Sequence, residues 1–212
     1  MSALQPLVGN PFDAKCMSTA IQTACPALPE ASRISLVEYL LEDWRVHGRN
    51  LLSRGLWVLA VHRFGCWRYG IRWRPARWPF SALYKLLFLM VQILTNVEFP
   101  CEARVGRRLR IEHVGDIVIS GDASFGDDVI LRNGTTIGLK TTNRRGSPQL
   151  GNRVDIGAGA KLLGPIIIGD DAVIGANAVV LRDVPAGHLA VGVPARILRR
   201  QRETIVTEGE SK

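Results

Sequence analysis

A chain of 212 residues with a formal net charge of +8 is long enough for one or two domains and a substantial core. The basic excess points to anionic partners, whether nucleic acid, a phosphorylated cofactor or a membrane surface, without choosing among them. Cys16, Cys25, Cys66 and Cys101 form no Cys-x-x-Cys and no tight pair, which argues against a disulfide framework or a structural zinc site and for reduced cytosolic thiols. Met1–Asn10 lacks the basic and apolar regions of a secretory signal. The most apolar stretch, Leu83–Leu94, is interrupted by Lys85 and Gln92, so it reads as a buried or interfacial helix, too short to span a bilayer alone.

In chain order, residues 1–32 carry prolines at 6, 11, 27 and 29 and little periodicity, so they read as a poorly ordered arm. Residues 33–96 read as a helical domain. Ser35 is placed to cap a helix bearing Leu36, Tyr39, Leu40 and Trp44, with Glu38 completing a capping box. A second helix is expected over Leu56–Tyr69 and a third over Ser81–Thr95, separated at Trp73–Pro79 because Pro75 and Pro79 disfavour a helix interior. No acidic residue lies between Asp43 and Glu98, whereas eight arginines, Lys85 and a cluster of tryptophans do.

From residue 97 to 198 the period changes to six. Leu150, Ile156, Leu162, Ile168, Ile174 and Val180 are anchors spaced six apart, and glycine follows four of them. Four residues beyond each anchor stands a small or branched side chain: Val154, Ala160, Ile166, Ala172, Ala178 and Val184. Phe125, Leu131 and Ile137 continue the phase upstream. A six-residue unit is one short strand plus one turn, and three units close a triangular coil whose anchors are buried only by stacking on the coils above and below. About five coils are expected, with the glycine after each anchor relieving the backbone where the chain turns. Residues 199–212 form a tail.

Two insertions interrupt the period, around Glu112–Asp116 and Lys140–Pro148. Insertions in a solenoid emerge on one face, often the binding face. His47 and His62 fall in the helical part and His188 in the last turn, but His113 stands inside the first insertion, flanked by Glu112 and Asp116. Acyl transfer from a thioester to a hydroxyl needs one base of near-neutral pKa, an orienting carboxylate and an oxyanion donor, and no metal. There is no nucleophile elbow and no Walker loop.

Residues 97–198 resemble the serine acetyltransferase family of hexapeptide-repeat proteins, especially the branch of bacterial exopolysaccharide O-acetyltransferases. The resemblance lies in Val97-Glu-Phe-Pro, Ile111-Glu-His-Val-Gly-Asp-Ile-Val-Ile119, Thr135-Thr-Ile-Gly138, Val154-Asp-Ile-Gly-Ala-Gly-Ala-Lys-Leu-Leu-Gly164, Ile174-Gly-Ala-Asn-Ala-Val-Val180 and Gly192-Val-Pro-Ala-Arg196. It implies an α+β chain: an N-terminal helical domain followed by a left-handed parallel β-helix. It implies acetyl-CoA as co-substrate, a homotrimer or a dimer of trimers with the site shared between subunits, and a cytoplasmic setting. The family's catalytic histidine falls on His113 and its orienting acid on Glu98; the acid before the histidine, Glu112, falls on the acceptor-binding side, as does Ser147. Coenzyme A positions fall on Gly138, Leu139, Ala158 and Ala176, with Lys161 and Arg196 as partners for its phosphates. The family's acceptor-side aspartate corresponds to Asp43. Its Arg-His-Pro acceptor loop reads Gly146-Ser147-Pro148 here, with Arg144–Arg145 out of register, so the carboxylate clamp is missing or displaced.

That departure favours a sugar hydroxyl, of a polysaccharide or its precursor, as acceptor. The alternatives are a serine O-acetyltransferase with an altered loop and a catalytically silent scaffold. Nucleic acid is not expected as a partner. Segment 44–85 suggests either peripheral contact with an anionic membrane or a helical cap packed on the solenoid.

Overall fold

The computed structural model describes residues 35–141 and 146–200; the expected arm, most of the tail and Arg144–Arg145 lie outside the described residues. Among the described residues three helices come first: α1 (Leu36–Val46), α2 (Arg54–Tyr69) and α3 (Arg74–Thr95). Ser35 caps α1 as its sequence requires: its hydroxyl accepts from the Glu38 N–H at 3.2 Å, and the Glu38 carboxylate accepts from the Ser35 N–H at 2.7 Å.

Helix α3 starts seven residues earlier than expected and carries Pro79 inside it. Pro75 falls in the first turn, where backbone N–H groups have no intrahelical partner, so it costs nothing there. Pro79 forfeits one ladder bond. The helix continues because Tyr84, Leu87, Phe88 and Val91 pack with Val61 and Phe64 of α2, and packing outweighs the missing bond.

The rest is a triangular left-handed β-helix of about four full turns. The first sheet stacks β1 (Val97–Glu98), β4 (Ile117–Ile119), β7 (Thr136–Gly138), β10 (Lys161–Leu163) and β13 (Val179–Val180). The second stacks β2 (Arg104–Val105), β5 (Ser124–Phe125), β8 (Gln149–Leu150) and β11 (Ile167–Ile168). The third stacks β3 (Arg110–Ile111), β6 (Ile130–Leu131), β9 (Asp155–Ile156), β12 (Val173–Ile174) and β14 (His188–Val191), and the antiparallel β15 (Arg196–Arg199) ends it. Every anchor from Phe125 to Val180 is buried, as are the residues four beyond them, Val129, Thr135, Val154, Ala160, Ile166, Ala172, Ala178 and Val184; Thr141, four beyond Ile137, falls in the second insertion and is exposed.

The turn chemistry differs from the expectation. The glycine after the anchor does not adopt a left-handed conformation. The residue three beyond the anchor does: Arg108, Asp128, Gly134, Arg153, Gly159, Asp171 and Asn177 all have φ between 55° and 75°. The glycine is required instead by close approach of successive coils. A Cβ on Gly126 would lie 2.6 Å from the Gly151 carbonyl carbon, and one on Gly157 would lie 2.5 Å from the Ala176 nitrogen. Between these positions runs a ladder in which a side-chain oxygen caps the N–H of the coil before it. Asp127 accepts from Arg107 N–H at 2.8 Å, Asn152 from Asp127 N–H at 2.9 Å and Asp170 from Asn152 N–H at 2.8 Å.

The helices close the N-terminal end of the apolar bore. Val58 and Leu59 of α2 belong to the same buried cluster as the anchors, and the His62 ring packs on Phe99 with centroids 4.9 Å apart. Beside them Arg63 is buried over the Tyr39 ring. It donates to the Val105 and Gly106 carbonyls at 3.0 and 2.7 Å and to the Asp43 carboxylate at 3.1 Å. One guanidinium therefore joins α1, α2 and the first coil. Burial pushes the Asp43 carboxyl upward and the Arg63 charge pulls it back. Arg63→Ala leaves a buried carboxylate without its counter-charge and is expected to lower unfolding free energy by roughly 3–5 kcal/mol, measured by chemical denaturation.

His62 is buried, and its Nε2 donates to the Ala103 carbonyl at 3.0 Å. Burial first, and the Arg63 charge second, hold its pKa down at about 3 against an ordinary 6.5. The unfolded chain therefore binds this proton below 6.5 while the folded chain refuses it until about 3. The associated stability is complete above pH 6.5 and is lost as pH falls toward 3. The loss is expected to reach on the order of 5 kcal/mol, and His62→Gln should flatten this part of the unfolding-versus-pH curve.

Candidate active site

The two-residue excess between β3 and β4 is absorbed by a loop, Glu112–Asp116, in which Gly115 (φ 121°) and Asp116 (φ 53°) turn left-handed in succession. A residue with a side chain at 115 would be strained, whereas the space around it is open, so the glycine serves the backbone alone. The loop ejects His113 from the buried ladder into solvent.

His113 stands on the corner between the third and first sheets. The same corner recurs one coil at a time at Gly134, Ala158 and Ala176. It is stitched by bonds of 2.8 Å from Gly134 N–H to the Gly115 carbonyl, Gly159 N–H to the Asn133 carbonyl and Asn177 N–H to the Ala158 carbonyl. The corner positions expected to meet coenzyme A, Ala158 and Ala176, thus lie on the edge that carries the histidine.

Glu98 is exposed and heads an outward-facing column on the first sheet, where register places it beside Val118, followed by Thr136, Lys161 and Val179. It lines a groove of about 310 Å³ with Val118, Thr136, Gly138, Leu139 and Leu163. His113 lines a separate cleft of about 400 Å³ with Val46, His47, Ser53, Arg110 and Glu112. No hydrogen bond joins His113 to Glu98 in this structure. The two segments are tied one step away: Asn96, left-handed at the end of α3, donates to the Asp116 carboxylate.

The structure gathers Glu98, Gly138 and Leu139 around one groove. It adds Ser147, which is buried and donates to the hydroxyl of Ser120 on that groove's wall at 2.9 Å. The walls of exposed Val118 and Leu139 and the small Gly138 suit an extended thioester arm. The Lys161 ammonium is held by the Gly134 carbonyl, at the histidine's edge. Arg196 is exposed on β15, far down the stack. Asp43 is not brought to the cleft at all; it is 0 % exposed in the Arg63 pair and cannot touch an acceptor there.

Glu112 also departs from its expected part. It is held by two guanidiniums, through Oε1 to Arg110 and through Oε2 to Arg132 Nε at 2.8 Å, and Arg132 turns onward to Asp155. This cluster, with Arg110 facing the His113 cleft, was not visible in the repeat pattern, because the arginines lie on different coils.

His47 was missed as well. Its Nδ1 donates to the Asp43 carbonyl at 2.7 Å and its Nε2 accepts from the Ile111 N–H at 3.2 Å. Alongside, Gly55 lies so near β3 that a Cβ there would be 2.5 Å from the Ile111 carbonyl oxygen. The helices thus grip the strand two residues before His113. His47→Ala is expected to lower kcat about tenfold, with the KM for acetyl-CoA unchanged, by loosening the histidine's placement. His47→Gln, whose amide oxygen can accept the same N–H, should recover most of the loss in steady-state kinetics.

Comparison with known proteins bears on the family and the fold. The model of the bacterial transferase hexapeptide (six repeats) matches residues 147–182. A serine acetyltransferase of Helicobacter pylori strain J99 is 38% identical over 173 residues, covering 78% of this chain and 98% of that protein. Among solved structures, the soybean serine acetyltransferase apoenzyme superimposes with a TM-score of 0.65 at 31% identity, covering 77% of this chain and 69% of the soybean chain. Serine acetyltransferase from Brucella abortus strain S19 gives 0.66 at 25% identity, over 87% of this chain and 75% of its own.

Proposed function

Because the chain belongs to the serine acetyltransferase family of hexapeptide-repeat transferases, and is therefore an acetyl-CoA-dependent O-acetyltransferase, we propose that it acetylates the hydroxyl of serine, with His113 as general base. The observation that carries the reading is the placement of one exposed imidazole on the solenoid corner shared with Ala158 and Ala176. The close relatives named serine acetyltransferase move the weight from a sugar to serine.

Acetyl-CoA supplies a thioester whose thiolate leaves readily. The His113 imidazole takes the proton of the acceptor hydroxyl as its oxygen bonds to the acetyl carbon. It then returns that proton to the departing sulfur, so the base ends the cycle neutral. Glu98, one strand from the loop, is the group available to orient the imidazolium while it carries the proton. Lys161 and Arg196 are the cations proposed for the cofactor's phosphates. A homotrimer, expected of this family, would bring a second solenoid face against this edge and complete the cleft.

A second reading, transfer to a sugar hydroxyl, is favoured by one specific feature. Glu112, already held by Arg110 and Arg132, is not free to receive an ammonium, and Gly146-Ser147-Pro148 offers no guanidinium for a carboxylate. Purified protein with acetyl-CoA and either serine or a nucleotide sugar, followed by thiol release, separates the two; release with the sugar alone overturns the serine reading. His113→Ala is expected to lower kcat by roughly 10²–10⁴-fold without changing the unfolding midpoint. Equal rates for wild type and variant would remove His113 from the chemistry.

A further inference from the structure

One surface is used neither by the core nor by the proposed reaction. Helix α3 has 22 residues and is long and apolar enough to cross a membrane, yet little of it is buried. Its inner face is committed to the protein. Tyr84 lies under the Arg68 guanidinium, 4.2 Å from ring centroid to charge, and its hydroxyl accepts from the Cys101 N–H at 3.2 Å. Leu87, Phe88 and Val91 pack beside it. The opposite face is an apolar stripe open to solvent: Leu83, Leu86, Leu89, Met90, Ile93 and Leu94, with Ile93 69% and Leu86 57% exposed. Their spacing of three and four keeps them on one side of the helix over about three turns.

The end of the helix where the stripe begins is aromatic and cationic. Trp73 and Trp78 are 71% and 77% exposed, and Arg72 and Arg74 beside them are exposed. Lys85 stands on the stripe's margin, and Arg45, Arg49 and Arg54 are exposed elsewhere on the helical part. No carboxylate occurs anywhere from residue 44 to residue 97. An apolar stripe flanked by tryptophan and arginine is what lies comfortably at the boundary between acyl chains and headgroups.

We propose that α3 docks this face into the surface of an anionic lipid bilayer, its axis parallel to the plane, with Trp73 and Trp78 at headgroup level and the arginines on lipid phosphates. The helix lies on the bilayer and does not cross it, because Tyr84 and its neighbours hold one side against α2. A second copy of the chain is the competing occupant. Two such faces pressed together would set cations against cations with no carboxylate of the segment to answer them, whereas anionic headgroups answer the charge and acyl chains answer the stripe. Helix α3 ends three residues before Glu98, so a docked helix holds the acetyl-transfer edge near the bilayer. That last consequence rests on the proposed reaction; the docking itself does not.

Flotation of the full chain with vesicles of phosphatidylcholine plus phosphatidylglycerol, and of phosphatidylcholine alone, tests the proposal. The chain is expected to float with the anionic vesicles and much less with the neutral ones, and the bound fraction should fall as salt is raised. Leu86→Glu with Ile93→Glu is expected to lower the bound fraction about tenfold, leaving thiol release and the unfolding midpoint unchanged. Protein that stays with the soluble fraction for both vesicle types overturns the proposal. So does a double variant that sediments as a smaller assembly than wild type in the absence of lipid, since the stripe would then be an interface between copies. Thiol release is scored separately in solution, so failure to float and failure to transfer acetyl groups are distinguishable.

Discussion

A stack of parallel coils buries its side chains only where another coil lies above and below, so its two ends are its weak points. At the C-terminal end the antiparallel β15 turns the last sheet back on itself. At the N-terminal end Val58 and Leu59 of α2 cover the bore, and one buried guanidinium ties that cover to the first coil. Arg63 satisfies two carbonyls of the first coil and one carboxylate of α1, and lies against an aromatic ring. The charge is tolerable in the interior because its hydrogen bonds and its counter-ion are supplied together. The helices are therefore the lid of the bore, and the position of the first coil, with Glu98 and His113 on it, follows from how that lid seats.

The same docking reaches the reactive edge by a second route. His47 and Gly55 meet the backbone of Ile111, and two residues later the chain leaves the ladder. A regular six-residue unit would have pointed a side chain at this position into the core or along a sheet. Two extra residues, with left-handed backbone at Gly115 and Asp116, present an imidazole outward instead. The coils that follow keep their corners in line beneath it, because each corner N–H reaches the carbonyl of the coil before.

The electrostatics of that edge bear on the acceptor. In place of an isolated acid beside the histidine there is a carboxylate shared by Arg110 and Arg132, with Asp155 behind it. Such a cluster carries no excess negative charge to attract an ammonium, which is why the sugar reading keeps its physical argument even where kinship points to serine.

The sequence by itself determined the period, the inward residues and the location of the insertions, since a six-residue repeat of anchors has one way to bury them all. It also showed the capping box of Ser35 and Glu38, a purely local interaction. It gave Glu98, Gly138 and Leu139 their roles by resemblance; the structure sets these three on one groove and His113 in another cleft. It misassigned the turn, because a glycine forced by the approach of the next coil looks the same in a string of letters as one forced by its own φ. It began α3 too late, because propensity counts the bond that Pro79 loses but not the packing of Tyr84 and Phe88. Only the tertiary structure decided that Asp43 is buried under Arg63, that Glu112 is held by arginines from its own and the next coil, and that His47 holds the strand before His113. Each of these depends on residues brought together across coils or between helix and strand, and no local pattern records which distant partner will arrive.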